Sequence, residues 1–350
     1  MVQSAQGSGQ QALFGAAVPL ARAIRLDRER LAAELREVVG LAGARVRMLE
    51  APAPARRGLL GALGSQPDEV RCEIAGVRLT IQAAPRPLAK ASVLHGFVNP
   101  AVWRGSLTGL AEHRAHVLIA ELDRSGVASR DAMFDRATAV TLATAVVADL
   151  VGAEAVIWLA GRNAVPMSVF GAEMERFIDG QAPLRFWLRW QVLPPPVQAE
   201  HEFGKLTGEA LNPGVATVGM TPFVGAEFVA PPSMCERDVM LDHVFELASA
   251  VIDENAELKD GAVYGKADDI MVRVNYRASG PYGSRPYWEL LPRPAPAQRA
   301  RPLFDTGGGG AADQPDQTDQ PDQPDQPEQP DQTADPPGPG ARLRLIVPGR

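Results

Sequence analysis

Three alternate residues, Arg185, Trp187 and Arg189, carry the clearest binding chemistry in the sequence. The stretch Leu184–Leu193 alternates strongly and predicts a strand, with Leu184, Phe186, Leu188, Trp190 and Val192 on one face and Arg185, Trp187, Arg189 and Gln191 on the other. Such a face sets an indole between two guanidinium groups, which could stack a base and contact phosphate. The plainer alternative, and the favoured one, is that a helix packs over Trp187 while the arginines reach solvent or meet acids. Lys259-Asp260-Gly261 is the second candidate, either a polar pair or a turn held by its glycine, and the turn is preferred.

The histidines offer less. His113-x-x-His116 would bring two imidazoles together on a helix, yet the second falls where a strand begins, and the Glu of His-Glu-x-x-His is absent. Both are expected to be ordinary surface and strand-start residues. Glu200-His201-Glu202 and Asp242-His243 pair imidazole with carboxylate. His243 shares a helix face with Glu246 and Ser249, opposite the apolar stripe, which reads as a solvated polar face. No serine stands in a Gly-x-Ser-x-Gly turn to serve as nucleophile. Gly204-Lys205-Leu206 and Gly265-Lys266-Ala267 lack the Ser or Thr and the upstream glycine of a phosphate loop. Gly58, Gly61 and Gly64 sit one helical turn apart, which is not a dinucleotide fingerprint, and Asp268-Asp269 lacks calcium-loop spacing. The expectation is no catalytic residue, no cofactor and no metal site. The candidate binding surface is Arg185, Trp187, Arg189, Lys259, Asp260 and Gly261.

Composition narrows the setting. The formal charge of −7 is concentrated, because residues 305–341 hold nine acids and no Lys or Arg; without them the chain would carry +2. The part before residue 305 is nearly neutral, so bulk charge does not demand nucleic acid or an anionic membrane. Cys72 and Cys235 are too few and too far apart for a disulfide framework or a cysteine metal cluster, and fit a reducing cytoplasm as two buried thiols. The apolar run Ala12–Ala21 has no preceding Lys or Arg, so export is not expected. The charge-free stretch Ala137–Ala148 falls short of the roughly 18–20 residues that span a bilayer.

These candidates must be positioned by a core, and its centre reads as Ala115–Leu159. His116–Leu122 and Ala155–Leu159 are rich in branched residues that fill buried strands, and Ser129–Leu150 between them predicts a helix covered on more than one side. A strand over Leu13–Leu20 ended at Pro19, a helix from the cap Asp27 to Val39, and a hairpin turning at Ala75-Gly76 precede it. After it come a helix with Phe170, Met174 and Phe177 at its stripe, shorter strands over His201–Thr207, Ala216–Met220 and Ala226–Val229, and a helix opened by the capping box Ser233-x-x-Glu236. Strands over Ile270–Tyr276 and Tyr287–Leu291 complete the pattern. Interleaved helices with hairpins predict an α+β fold of mixed, mainly antiparallel sheets with packed helices, the preferred architecture being two related α/β subdomains. The expected organisation is a disordered 1–11, an N-terminal subdomain 12–85, a connector 86–105, a main subdomain 106–292, a disordered acidic Pro-rich linker 293–340 and a strand-like 341–350.

Several of these segments together resemble a bacterial domain-of-unknown-function family, number forty-two sixty-one in its series. The residues that carry the resemblance are the hairpin at Ala75-Gly76 with Pro85, Pro87 and Trp103, then Ala115–Ala120 and Ala155–Trp158. Gly219-Met220-Thr221-Pro222-Phe223 with Gly225 and Glu227 follows, and Leu258-Lys259-Asp260-Gly261 with Gly265 is the most specific part. It spans roughly residues 13–277 and implies an α+β intracellular protein without supplying an activity. The chain departs from it at Ala262-Val263-Tyr264, where a polar Asp-Thr pair is expected.

The remaining feature is mechanical. From Asp313 to Thr333 the triplet acid-Gln-Pro/Thr repeats seven times after Gly307–Gly310. In polyproline II conformation the carboxylates share one edge and repel, which makes the segment an extended spacer. Beyond it, Arg342-Leu343-Arg344-Leu345-Ile346-Val347 regains strand character and suits addition to a sheet edge, its own or a partner's. The function expected is therefore a non-enzymatic cytoplasmic interaction or accessory protein with a protein partner, no nucleic acid favoured and no membrane. The alternative is a nucleotide- or nucleic-acid-binding module built on Arg185, Trp187 and Arg189.

Overall fold

The computed structural model describes residues 14–41, 43–50, 68–88, 94, 96–98, 103, 108–122, 129–195, 211–265 and 270–293. The expectations for 1–11, His95, His201–Thr207, Lys266, Asp268, Asp269 and everything beyond 293 lie outside these residues.

Ala75 and Gly76 take φ of 49° and 84°, the left-handed pair that a two-residue hairpin requires, and they join β3 (Asp68–Ile74) to β4 (Val77–Ala84). Around this hairpin β1 (Gly15–Leu20), β2 (Val46–Leu49), β5 (Ala115–Glu121), β6 (Ala155–Trp158) and β7 (Asn163–Pro166) complete a seven-stranded sheet in the order β2-β3-β4-β5-β1-β6-β7. Every neighbouring pair in it is antiparallel. Strand alternation sends Ala16, Val18, Val156 and Trp158 into the main core and Ala17 and Ile157 to the opposite side. On the main side lie α1 (Arg28–Leu41) and the long α3 (Arg130–Val151), the latter buried almost continuously from Arg136 to Ala148. The other side is closed by Leu88, Leu94, Phe97, Trp103 and Leu110, the last on the short α2 (Thr108–Ala111). Two covered faces explain why β5 and β6 read as unbroken apolar runs.

α3 starts where the Ser129 hydroxyl accepts a bond from the Ala132 N–H, and it stops at Gly152 with φ of 60°. Its one charged core residue, Arg136, donates from both Nε and Nη2 to a single oxygen of Glu121, and this ion pair is almost fully buried. Burial pushes the Glu121 carboxyl above its usual range, with Arg136 opposing that rise.

The chain then passes through α4 (Met167–Ile178) and a single helical turn, α5 (Leu184–Trp187), into a second sheet. Its strands are β8 (Arg189–Leu193), β9 (Gly214–Val218), β10 (Glu227–Ala230), β11 (Val263–Tyr264), β12 (Met271–Arg277) and β13 (Tyr287–Arg293), in the order β11-β12-β13-β10-β9-β8. β10 and β13 run parallel and the other pairs antiparallel, so the fold is α+β with mixed, mainly antiparallel sheets. The turn α6 (Thr221–Val224) links β9 to β10, and α7 (Arg237–Asp253) lays Met240, Val244, Leu247 and Val251 on the main core. Arg130 at the start of α3 donates to Asn255 Oδ1 at 2.8 Å and to the Ala256 carbonyl at 3.0 Å, which ties the two layers at the C-terminal end of α7. No described helix is long and apolar enough to cross a membrane.

Four expectations are corrected. The sheets divide between β7 and β8, not in the connector 86–105, because β5, β6 and β7 all join the first sheet. The long strand over Leu184–Leu193 is a helical turn followed by a five-residue strand. Strand β1 includes Pro19, whose missing N–H the ladder tolerates at that position. The capping box does not form: Ser233 Oγ accepts from the Cys235 N–H, and Glu236 takes the cap position of α7 without a side-chain bond. Cys72 is buried, its thiol pushed up to about 12 by burial, while Cys235 is only half-buried.

Candidate functional site

The Arg185–Arg189 stretch sits at the junction of the two sheets, and the helical turn there rotates the three side chains onto different surroundings. Trp187 has no exposed surface. Its Nε1 donates to Thr141 Oγ1 at 2.8 Å, and its ring stacks on those of Trp158 and Phe223, with Phe134 edge-on. Arg185 donates its backbone N–H to Glu173, and its guanidinium lies over the Phe245 ring. Arg189 donates to the Gly96 carbonyl at 2.6 Å. A stacking platform between two arginines does not exist here, because the indole needed for it is a core residue. The favoured alternative named helix packing over Trp187, and the actual cover is α3 together with Trp158 and Phe223.

Gly161, Asn163, the Gly219–Phe223 segment and Glu227 build this junction. A Cβ on Gly161 would lie 2.2 Å from the Trp187 carbonyl oxygen, and one on Gly219 would lie 2.6 Å from it. Gly219 also holds φ of 120°, which only glycine adopts without strain. Asn163 Nδ2 donates to the carbonyls of Arg185, Phe186 and Leu188 at 2.7–3.0 Å. Glu227 gathers the facing loop: its carboxylate accepts from the N–H groups of Gly219, Met220 and Thr221 and from the hydroxyls of Thr217 and Thr221. Gly219-Met220-Thr221-Pro222-Phe223 and Glu227 are therefore architectural, closing one sheet on the other.

Lys259-Asp260-Gly261 is likewise a turn. Asp260 Oδ1 accepts from the Tyr276 N–H at 2.7 Å, and Gly261, at φ of 79°, donates to the Val274 carbonyl at 2.7 Å. The Lys259 amine points instead towards Glu257, 3.9 Å away, so no Lys–Asp pair forms.

His113 and His116 are buried clasps, contrary to their expected surface placement. The Leu88 N–H donates to His113 Nε2 at 2.9 Å, and Nδ1 donates to the Leu110 carbonyl at 2.8 Å. His116 Nδ1 donates to the Arg86 carbonyl at 2.8 Å. The spacing i, i+3 placed them on a turn ending at the β5 start, where both reach back to the segment after β4. Burial, aided by the charge of Arg86 and the neighbouring His113, holds the His116 pKa below its ordinary 6.5, while its backbone bond works the other way. A histidine depressed in the folded chain binds fewer protons than the unfolded one. Stability is therefore complete above about pH 6.5 and falls as pH drops towards the folded-state pKa. Glu121 and Glu173, both raised by burial, titrate in the opposite sense. The difference between the wild type and His116→Gln isolates the histidine: in urea titrations the wild type loses more stability than the variant between pH 7.5 and pH 5.5. Equal losses would show that His116 does not titrate with folding.

What sequence reading missed lies on the second sheet. A cleft of about 180 Å³ opens between α7 and the edge strand β11, lined by His243, Glu246, Leu247, Ala250, Tyr264, Gly265 and Val272. Positions 243, 246, 247 and 250 form one stripe of α7, while Tyr264 pairs with Val272 and so shares its face of the sheet. The floor is apolar and the rim acidic. Glu246 is 71 % exposed with its carboxylate 3.7 Å from His243 Nδ1. Glu257, 79 % exposed, stands at the mouth, its backbone carbonyl accepting from the Tyr264 hydroxyl at 3.0 Å. The His243 side chain is only 10 % exposed. The expected solvated face is thus one wall of a cleft, a fact that depends on where β11 packs and has no sequence signal.

Among the described residues no three or more His, Cys, Asp or Glu side chains cluster as a metal site would require. Compared with family models, curated proteins and solved structures, the chain matches none.

Proposed function

We propose that the chain is a non-enzymatic interaction protein of the reducing cytoplasm, and that its contact surface is the cleft between α7 and β11. The observation that carries this reading is the cleft itself, an apolar floor with an acidic rim beside an edge strand. Leu247, Ala250, Tyr264 and Val272 suit apolar side chains, and Glu246, with the nearby Glu257, suits a cationic one. An extended segment that alternates the two meets both needs. The buried carboxylates Glu121 and Glu173 and the half-buried Glu227 are engaged in holding the fold: Glu121 with Arg136, Glu173 with the Arg185 N–H and Glu227 with its loop. Cytoplasmic placement is supported by two cysteines without a disulfide. Membership of the resembling family belongs to the same proposal and rests on the sequence segments that carry the resemblance.

The test is fluorescence anisotropy with a labelled peptide of residues 341–350, whose Arg-Leu-Arg-Leu-Ile-Val fits the pattern. The protein is the full chain carrying Leu343→Asp and Leu345→Asp, so that its own copy of the pattern does not compete. Saturable binding is expected, weakened about tenfold or more by Glu246→Lys and by Ala250→Trp, and weakened by added salt. Absence of binding, or binding that both substitutions leave unchanged, would contradict the reading.

A further inference from the structure

Resting on that reading, we infer that the cleft holds a segment of this same chain, Arg342–Val347. The first ground is charge. The cleft lining carries one exposed acid, Glu246; Glu257, whose carbonyl accepts from the Tyr264 hydroxyl, lies beside it with Lys259 3.9 Å away, and Arg130 sits at the C-terminal end of the same helix. The segment brings Arg342 and Arg344 with no acid between Ala341 and Arg350. The second ground is pattern. In an extended chain Leu343, Leu345 and Val347 share one side, and the arginines lie on the other. With the leucines down on Leu247, Ala250, Tyr264 and Val272, the arginine stems run over the cleft walls and their guanidinium groups reach the rim carboxylates.

The third ground is where the chain leaves the fold. Arg293 pairs with Met271, and the next residue of that strand, Val272, pairs with Tyr264 of the cleft. The exit point is thus two strand spacings from the cleft edge, roughly 10 Å. The tether from 294 to 341, roughly fifty residues long, reaches several times that distance even as a flexible coil, about 35–40 Å. Gly307–Gly310 and Gly338-Pro339-Gly340 give it bends on either side of the acidic repeat. Attached through such a tether, the segment meets the cleft at an effective concentration near millimolar, and an external partner must displace it.

Hydrogen–deuterium exchange on the full chain tests this. The expected result is slowed exchange over 342–347 and over 260–265, with both regions speeding up about tenfold in Leu343→Asp/Leu345→Asp and in Ala250→Trp. Glu246→Lys, at an exposed position, gives a smaller loss and guards against misfolding as the cause. If 342–347 exchanges as an unstructured peptide in the wild type, self-occupancy is overturned, and the anisotropy experiment still decides the cleft reading by itself. If protection appears only as protein concentration rises, with a matching dimer in light scattering, the occupant is a second copy and the same-chain inference is overturned.

Discussion

Trp187→Ala is expected to destabilise the chain by about 3–5 kcal/mol in urea unfolding. The indole is fully buried and touches the rings of Trp158, Phe223 and Phe134, so its removal leaves a cavity at the point where the two sheets meet. Thr141 is not orphaned by the change, since its hydroxyl donates to the Ala137 carbonyl within α3. The loss is therefore one of packing, and Trp187→Phe should recover more than half of it. An exposed stacking residue would behave differently, costing under about 0.5 kcal/mol on truncation. A near-neutral Trp187→Ala would mean that the side chain does not occupy the junction.

Gly161→Ala has the second large effect, about 3 kcal/mol or more, or failure to accumulate folded protein. The added methyl would overlap the Trp187 carbonyl oxygen at 2.2 Å, and that oxygen belongs to backbone held by the Asn163 bonds to the neighbouring Phe186 and Leu188 carbonyls. Gly171→Ala is the matched control. Gly171 lies within α4 with nothing within 4 Å of an added Cβ, so alanine there is expected to stabilise by about 0.5–1 kcal/mol. Thermal unfolding of the two variants side by side should move the midpoint in opposite directions. Movement in the same direction would contradict the close approach at Gly161.

Elements whose signal is local were legible from sequence. The hairpin at Ala75-Gly76, the uncharged α3, the α7 stripe and the Asp260-Gly261 turn each depend on residues a few positions apart, and each is where its pattern placed it. The strand read over Leu184–Leu193 failed because Phe186 and Trp187 are both buried, in a turn wrapped by aromatic rings on several sides. Alternation assumes one dry face and one wet face, and a helical turn immersed in core satisfies the same letters. The sheet boundary was misplaced for a related reason. β1 pairs with β5 and β6, contacts about a hundred or more residues away in sequence that periodicity does not encode. His113, His116 and His243 show the same limit from the polar side. Their types and spacings suggested solvent, while the partners that bury them, the 86–88 backbone and the β11 edge, come from distant chain.

The stretch that promised chemistry holds the sheets together, and the contact surface we propose instead is the cleft beside α7. Where a basic, apolar-alternating peptide lands on the chain tests this most directly. Amide chemical shifts of the full chain carrying Leu343→Asp and Leu345→Asp, followed as the 341–350 peptide is added, report that location. The expected result is that perturbations gather at His243–Ala250, Asp260–Gly265 and Val272. Perturbations gathered instead at Arg185–Leu193, with the α7 cleft unmoved, would contradict it.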